Sequence, residues 1–530
     1  MSRNIQQIFE HIFDRLYAGY GIHIKSWEII ILFSMCRYAQ SCAFISVIEL
    51  PRIPAYCPKL YFRYKNTRKK EEHIMPTENY KFPADFVWGA ATSSYQIEGA
   101  VSKDGKGEDI WDVFTREDNR IFEHHTGEIA CDHYHRFRED VKLMKEMGLH
   151  AYRFSINWSR VLPNGYGQVN EKGIAFYDAL INELLDNDIE PYVTLYHWEL
   201  PYELYKRGGW LNPQIVEWFG NYARLIAERF SDRVKNFFTL NEPQCFVGLG
   251  FLTGEHAPGV HAPLRDTFEM AHNALKAHGR AVQMLRAYGK QKLSIGFAPT
   301  ASMCYPETES TEDIEAARKA LFSLPDDPNN WTWNVSWWSD PVFFGKYPEE
   351  GLQKYEKYLP KITDEDMKLI SEPIDIYGQN IYNGQCIRMG KDGQPEYVRR
   401  YEGFPKTAID WPVTPECLNW GPRFLYERYK TPIYITENGM SCHDVISLDG
   451  KVHDPNRIDF LARYLGELKK ASAVADIRGY FQWSLMDNFE WSKGYSERFG
   501  LIYVDYQTQQ RILKDSAYWY RDYTKNNGEL

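Results

Sequence analysis

The sequence predicts an α/β fold, a single closed (β/α)8 barrel of the TIM type with extended βα loops. Three observations predict it. Eight apolar runs of strand length recur from Phe86 onward, each followed by polar or Gly-rich residues and then a helical pattern. The runs read as buried on both faces, as parallel strands beneath helices are. No GxGxxG follows the first run, which leaves the alternative, an open doubly wound sheet, without its usual support.

The strands are predicted in order as "FVWGAAT", "AYRFSINW", "EPYVTLYHW", "NFFTLNEP", "KLSIGFAP", "IDIYGQNIY", "PIYITENG" and "RGYFQWSLMD". Between them, "EDVKLMKEMGLH", "YDALINELLDNDIE" and "VEWFGNYARLIAERF" place apolar residues at i, i+3, i+4 and i+7, the stripe of a helix packed on a sheet. No short-period repeat appears.

Composition is globular, with 44% hydrophobic, 15% aromatic and 25% charged residues in 530. Sixteen Trp and 37 Tyr supply flat apolar faces that suit sugar rings, although a large core also uses them. The net charge of −10 provides no cationic footprint, so a nucleic-acid partner is not expected. Nine scattered cysteines without a CxxC pair fit free thiols in a reducing, cytoplasmic setting better than a disulfide framework.

Residues 1–74 differ from the rest. They carry a net charge of +5, against −15 for residues 75–530, and hold Cys36, Cys42 and Cys57. The apolar patch "WEIIILFSMC" is too short to span a bilayer and ends at Arg37, so no stable membrane association is expected. It also lies too far inside the chain for a signal-peptide core, and no clear cleavage site follows. The working protein is expected to begin at Met75, with 75–530 as the catalytic barrel and 1–74 as poorly ordered or upstream-translated sequence. Lys70-Glu71-Glu72 can be encoded by a ribosome-binding sequence just before Met75.

Chemistry in such a barrel sits at the C-terminal ends of the strands. There the sequence places Gln96, Arg153, Asn157, His197-Trp198, Asn241-Glu242, Asn380, Tyr382, Glu437, Trp483 and Glu490-Trp491. This is the residue set of a sugar pocket rather than of a solvated rim. Cleaving a glycosidic bond takes a proton donor and a second carboxylate across the anomeric carbon. Glu242 and Glu437, on strands four and seven, would face one mouth. Burial would raise the pKa of Glu242, while Glu437 needs donors such as Arg153 and Tyr382 to stay ionised. Taken alone, "TPIYITENGM" reads more simply as a strand end with Asn438-Gly439 turning into solvent.

The motifs "TLNEP" and "ITENG" resemble the two catalytic signatures of glycoside hydrolase family 1, the retaining β-glucosidase family of bacterial type. "FPADFVWGAATSSYQIEGA", "YRFSINWSR", "WWSDPVFFGKYP", "DNFEWSKGYSERFGL" and "RILKDSAYWY" extend the resemblance over residues 80–522. It implies Glu242 as acid/base and Glu437 as nucleophile, about 5 Å apart for retention of configuration. It implies Gln96, His197, Asn241 and Glu490 on sugar hydroxyls, Trp483 beneath the sugar, and Trp491 beside Glu490. Tyr382, Arg153 and Asn380 would support the nucleophile, Trp411 in "DWPVTPE" would line the leaving-group side, and Phe499 would belong to the same pocket. The implied activity is exo-hydrolysis of β-glucosides such as cello-oligosaccharides, aryl glucosides or plant-type glucosides. No metal and no cofactor is implied, and a homo-oligomer is left open.

Three positions depart from the family's usual residues: Glu199 for Asp, Asn157 for Ser and Gln379 for Leu. The alternatives are a phospho-β-glucosidase, a transglycosylating member and a non-catalytic sugar-binding protein. Glu490 would repel a phosphate, and both glutamates are retained, which weighs against the first and the last. Asp132, His133 and His135 in "DHYHRFRED" have the i, i+2 spacing that puts the histidines on different helix faces, so they read as structural rather than metal ligands. His256 in "HAPG" reads as a loop-shaping turn, and Cys245 as the one thiol whose modification would affect activity. Mass spectrometry of the protein from its native host should find no peptides of residues 1–60 at full stoichiometry.

Overall fold

The computed structural model describes residues 80–529; the segment 1–74 and its boundary at Met75 lie outside the described residues. Eight parallel strands close into a barrel: β1 (Val87–Ala91), β2 (Ala151–Ser155), β3 (Glu190–Tyr196), β4 (Asn236–Asn241), β5 (Ser294–Ala298), β6 (Ile376–Asn380), β7 (Ile433–Asn438) and β8 (Ile477–Trp483). All eight predicted strands are present, each shorter than its apolar run. The ladders stop short of the ends of these runs, so His197, Glu242 and Tyr382 fall just past their strands.

Eight helices cover the outside: α1 (His133–Glu146), α2 (Glu171–Asp186), α3 (Ile215–Phe230), α4 (Leu264–Tyr288), α5 (Val335–Phe344), α6 (Cys417–Tyr429), α7 (Pro455–Ser472) and α8 (Asp515–Lys525). Tyr177, Leu180, Ile181 and Leu184 form the buried stripe of α2, while Phe219, Tyr222, Ala223 and Ile226 do the same for α3. Inside the barrel, Ala91, Ala151, Tyr192, Phe238, Ala298, Ile376 and Phe481 pack as one cluster. That plug closes the barrel from below and leaves only its C-terminal mouth for a ligand.

The extended loops build structure of their own. Strands Met303–Pro306, Gly384–Met389 and Pro395–Tyr397, which follow β5 and β6, form a small sheet beside the mouth. After β8, strands Ile502–Val504 and Arg511–Leu513 pair antiparallel. None of the described helices is long and apolar enough to cross a membrane.

A buried ionic network ties these loops to the barrel. Lys514 bridges Asp444, after β7, and Asp487, after β8, at 2.6 Å each. Arg457 on α7 holds Asp444 at 2.7 Å and also pairs with Asp454, and Arg498 holds Asp487 at 2.6 Å. Buried charges are tolerated only when paired in this way. Lys514→Met should therefore lower unfolding stability by about 3 kcal/mol or more, because two buried carboxylates each lose a partner. A urea titration with an unchanged m-value is the check.

Candidate active site

Both carboxylate strands lose their regular ladder as they reach the mouth. Register shifts fall between Phe238 and Asn241 where β4 pairs β5, and between Ile435 and Glu437 where β7 pairs β6. Such irregularities re-aim side chains. Glu242 adds a left-handed backbone conformation at φ 42°, one step before Pro243 opens a short helix. Asn438-Gly439 is not a turn into solvent. Asn438 is buried, giving its amide to the Ile381 carbonyl at 2.7 Å and accepting from the Tyr480 hydroxyl at 2.9 Å. Gly439 is required by close approach, since a Cβ there would sit 1.8 Å from the Trp483 carbonyl oxygen.

At the centre lies Arg153, fully buried. Its Nη1 donates to Glu437 Oε1 at 2.6 Å, its Nη2 to Asn241 Oδ1 at 2.6 Å, and its Nε to Thr194 Oγ1 at 3.1 Å. The Tyr382 hydroxyl donates to the other Glu437 oxygen at 2.6 Å. Asn380 Nδ2 donates to Glu242 Oε1 at 2.8 Å and to Asn241 Oδ1 at 3.0 Å. Thr436 fixes that amide by donating to Asn380 Oδ1 at 2.7 Å. Asn241 Oδ1, which accepts from both Arg153 and Asn380, thus links the groups that hold the two carboxyls.

The two carboxyls differ in environment. Burial first, and then the charge of Glu437, push Glu242 up to about 7. Burial also raises Glu437, but the Arg153 guanidinium and the Tyr382 hydroxyl oppose it. Glu490 is pushed up to about 8 by burial, then by Glu437 and other carboxylates. His197 is held well below its ordinary value by burial and by Arg153, so it is a neutral imidazole beside Asn241 Nδ2 at 3.0 Å.

These groups surround a cavity of about 450 Å³, within the roughly 300–1,000 Å³ typical of small-molecule sites. Of the residues predicted from sequence, His197, Glu242, Tyr382, Trp411, Glu437, Trp483, Glu490 and Trp491 line it. Gln96, Arg153, Asn241 and Asn380 stand one step behind its surface. Gln96 donates to Asn488 Oδ1 at 3.0 Å and the Phe489 carbonyl at 2.9 Å, so it holds the loop carrying Glu490. Phe499 packs behind Tyr382 and Trp411, with ring centroids 6.4 and 6.0 Å away.

Sequence reasoning missed part of the wall. His256 is a lining residue as well as a turn residue, packed on Trp198 at 5.5 Å and Trp111 at 5.4 Å. Trp333, on the loop after β5, was not singled out, and no strand end marks it. The departures from the usual residues all lie off the cavity. Asn157 caps a short helix by accepting from Arg160 N at 3.1 Å. Glu199 accepts from Ser94, Ser155 and the His197 backbone N–H, joining β3 to the turn that carries Gln96. Gln379 alternates with inward-facing Asn380 and is buried towards the helix layer. His133 pairs with Asp140 at 2.7 Å and His135 with Asp132 at 2.6 Å, and no metal-holding group occurs among the described residues.

A sequence profile of glycosyl hydrolase family 1 matches residues 78–529. The chain belongs to glycosyl hydrolase family 1. It is 44% identical over 450 residues to β-glucosidase A of Thermotoga maritima, covering 84% of this chain and 98% of that protein. It is 42% identical over 450 residues to a 1,4-β-D-glucan glucohydrolase of Thermotoga neapolitana, covering 84% and 99%. Among solved structures, a T. maritima β-glucosidase in complex with glucoimidazole superposes with a TM-score of 0.77 at 44% identity, covering 85% of this chain and all of that one.

Within this family 1 site, Cys245 deserves a direct test. Its thiol donates to Glu242 Oε2 at 3.1 Å, and burial pushes its own pKa well up, keeping it a neutral donor. Donation to a carboxylate favours the charged form and so lowers the pKa of Glu242. Cys245→Ala should raise that pKa, and Cys245→Ser should largely preserve it. Isotope-edited infrared titration of the glutamate carboxyls reads the difference.

Proposed function

We propose that this chain is a retaining β-glucosidase that releases the terminal sugar of a β-glucoside. The observation that carries the reading is the short chain of hydrogen bonds from Glu437 through Arg153, Asn241 and Asn380 to Glu242. Both carboxyls line one cavity, and the charge of Glu437 raises the pKa of Glu242. That arrangement suits the about 5–5.5 Å spacing of retaining enzymes. The names of the two Thermotoga relatives point to the same substrate class.

On this reading a Glu437 oxygen attacks the anomeric carbon while the Arg153 pair keeps the carboxylate ionised. The glycosidic bond breaks, and its oxygen takes the proton of Glu242. A covalent glycosyl ester remains on Glu437. Glu242, now a carboxylate, takes a proton from water, which attacks the same carbon and frees Glu437 with net retention. Trp483, stacked at 5.7 Å against the His197 ring, offers a flat apolar face to the bound sugar. Glu490, on the loop held by Gln96, presents a polar edge to its hydroxyls. The plugged barrel closes the inner end of the cavity, which suits removal of one terminal unit at a time.

A phosphorylated sugar is the rival substrate. With Glu490 near pKa 8, the empty site at neutral pH repels a phosphate less than a full carboxylate would. The preference for an unphosphorylated sugar therefore rests on Glu490 as a hydrogen-bond partner of hydroxyls more than on its charge. The finer expectations of a cytoplasmic setting and of self-association remain part of the proposal.

Glu437→Ala should abolish turnover of an aryl β-glucoside, and near wild-type rates would sink the assignment. Glu242→Ala should slow poor leaving groups by roughly 10²–10⁴-fold, the usual worth of a positioned proton donor. An aryl β-glucoside should be hydrolysed much faster than its 6-phosphate. Activity should fall as pH rises through about 7, because Glu242 then loses the proton that the leaving oxygen needs. The alkaline limb of the kcat/KM profile reports it.

A further inference from the structure

Thr436 stands one residue before Glu437 on β7, is fully buried, and is not among the residues that line the cavity. Consecutive side chains on a strand ordinarily point to opposite faces. The register shift between Ile435 and Glu437 breaks that alternation. Both residues then reach polar partners at the mouth: Thr436 the Asn380 amide, Glu437 the Arg153 guanidinium and the Tyr382 hydroxyl.

The Thr436 hydroxyl has little freedom. A Cβ on Gly378 of β6 would sit 2.9 Å from the Thr436 methyl, so the methyl occupies space that only a glycine leaves open. A β-branched side chain has few χ1 positions, and lodging the methyl there aims the hydroxyl. It donates to Asn380 Oδ1 at 2.7 Å, the one hydrogen bond this oxygen receives among the described residues.

The nitrogen of the amide is then committed as well. Asn380 Nδ2 donates to Asn241 Oδ1 at 3.0 Å and to Glu242 Oε1 at 2.8 Å. Asn241 Oδ1 is an acceptor by necessity, since Arg153 Nη2 donates to it at 2.6 Å. Thr436 and Asn241 therefore hold the amide from its two ends. Without the hydroxyl, Asn380 Oδ1 would be a buried acceptor with no donor. Such a group is costly enough to pull the amide out of line, at the expense of the bonds from Nδ2.

We propose that Thr436 is a positioning residue for proton transfer: its hydroxyl pins the Asn380 amide so that the N–H reaches Glu242, and the pH range of activity depends on that delivery. The proposal rests on the β-glucosidase reading and adds to it a residue that acts through Asn380. An N–H donated to a carboxylate favours the ionised form, so this bond lowers the pKa of Glu242 against the rise caused by burial and by Glu437. Arg153, Cys245, Tyr382 and Glu490 also face Glu242, with His197 and Glu255 on the same cavity wall. None of them bonds the Thr436 hydroxyl, so its removal reaches Glu242 through Asn380. The Thr436 carbonyl accepts from Arg153 Nη1 at 3.2 Å, a backbone contact that a change of side chain retains.

The test is Thr436→Val, which replaces the hydroxyl by a methyl of similar size. The alkaline limb of its kcat/KM profile should move up by about one pH unit, the equivalent of one hydrogen bond to a charged group. At its optimum, kcat/KM should fall roughly ten- to a hundredfold on phenyl β-glucoside, whose leaving oxygen needs a well-placed proton. The loss should be far smaller on dinitrophenyl β-glucoside, whose leaving group departs with little help. Thr436→Ser keeps a hydroxyl and should return the limb to near its wild-type position. Thr436→Ala removes the hydroxyl without adding bulk and should move the limb in the same direction as Thr436→Val. An alkaline limb that stays in place in both hydroxyl-free variants overturns the proposal. So does an equal loss on the two glucosides, which would place the damage at Glu437 rather than at Glu242. A wild type that hydrolyses neither glucoside removes the functional reading itself, and this inference with it.

Discussion

The site depends on one buried guanidinium. Arg153 has no exposed surface, and a charge in that position costs several kcal/mol unless its partners are fixed and complete. It finds them on three other strands: Thr194 on β3, Asn241 on β4, and Glu437 with the Thr436 carbonyl on β7. The requirement acts in both directions. The barrel must close with β2, β3, β4 and β7 in one register for Arg153 to be paired. Once paired, Arg153 fixes where Glu437 and Asn241 stand. Asn380 extends the same frame to Glu242 from β6. Removing any one partner would leave a buried charge or an unmatched amide. The geometry of the mouth and the stability of the barrel are thus one constraint rather than two.

Much of this was legible in the sequence, for physical reasons. Strands buried on both faces must be apolar throughout, so "NFFTLN" and "IYITEN" announce themselves, and a polar residue that ends such a run needs a reason to be there. That logic located Glu242, Glu437, Asn380 and Trp483. The register shifts at β4 and β7 were not legible, because a bulge is a relation between two strands and leaves no mark on either one alone. Asn438-Gly439 looked like a turn because that pair commonly is one. Here the glycine answers to the Trp483 carbonyl, contributed by a strand 44 residues further on. Trp333 and His256 escaped because loops after strands carry no periodicity. Their place at the mouth follows from three-dimensional packing alone.

The departures at Asn157, Glu199 and Gln379 show what the surrounding structure will accept. Glu199 is pushed up to about 8 by burial, and it accepts hydrogen bonds from two serine hydroxyls and a backbone N–H. Its longer side chain does the work of a spacer between β3 and the turn bearing Gln96. Asn157 supplies a cap that a serine could also supply, and adds a bond from its amide to Asp109 at 3.2 Å. At Asn157 and Glu199 the polar group has partners behind the cavity, so the substitution changes how the wall is braced and not what the wall presents, whereas Gln379 Oε1 is buried without a hydrogen-bond partner.

The cavity holds Glu242, Glu437 and Glu490 close together with one guanidinium behind them, and this bears on how one residue can act twice. With Glu242 near 7 and Glu490 near 8, the empty site at neutral pH carries little more negative charge than Arg153 offsets. That balance admits a neutral, hydroxyl-rich ligand. The charge of Glu437 is the second-largest reason that Glu242 keeps its proton. On the proposed path Glu437 becomes an ester, and its charge disappears at the moment Glu242 has given its proton away. The repulsion that favoured the acid form is then gone, and the same carboxyl is left as a stable carboxylate, ready to take a proton from water. When hydrolysis restores the Glu437 charge, Glu242 again prefers to be protonated. The alternation between acid and base needs no movement of either side chain. It follows from joining two buried carboxyls through Asn241 and giving only one of them the arginine.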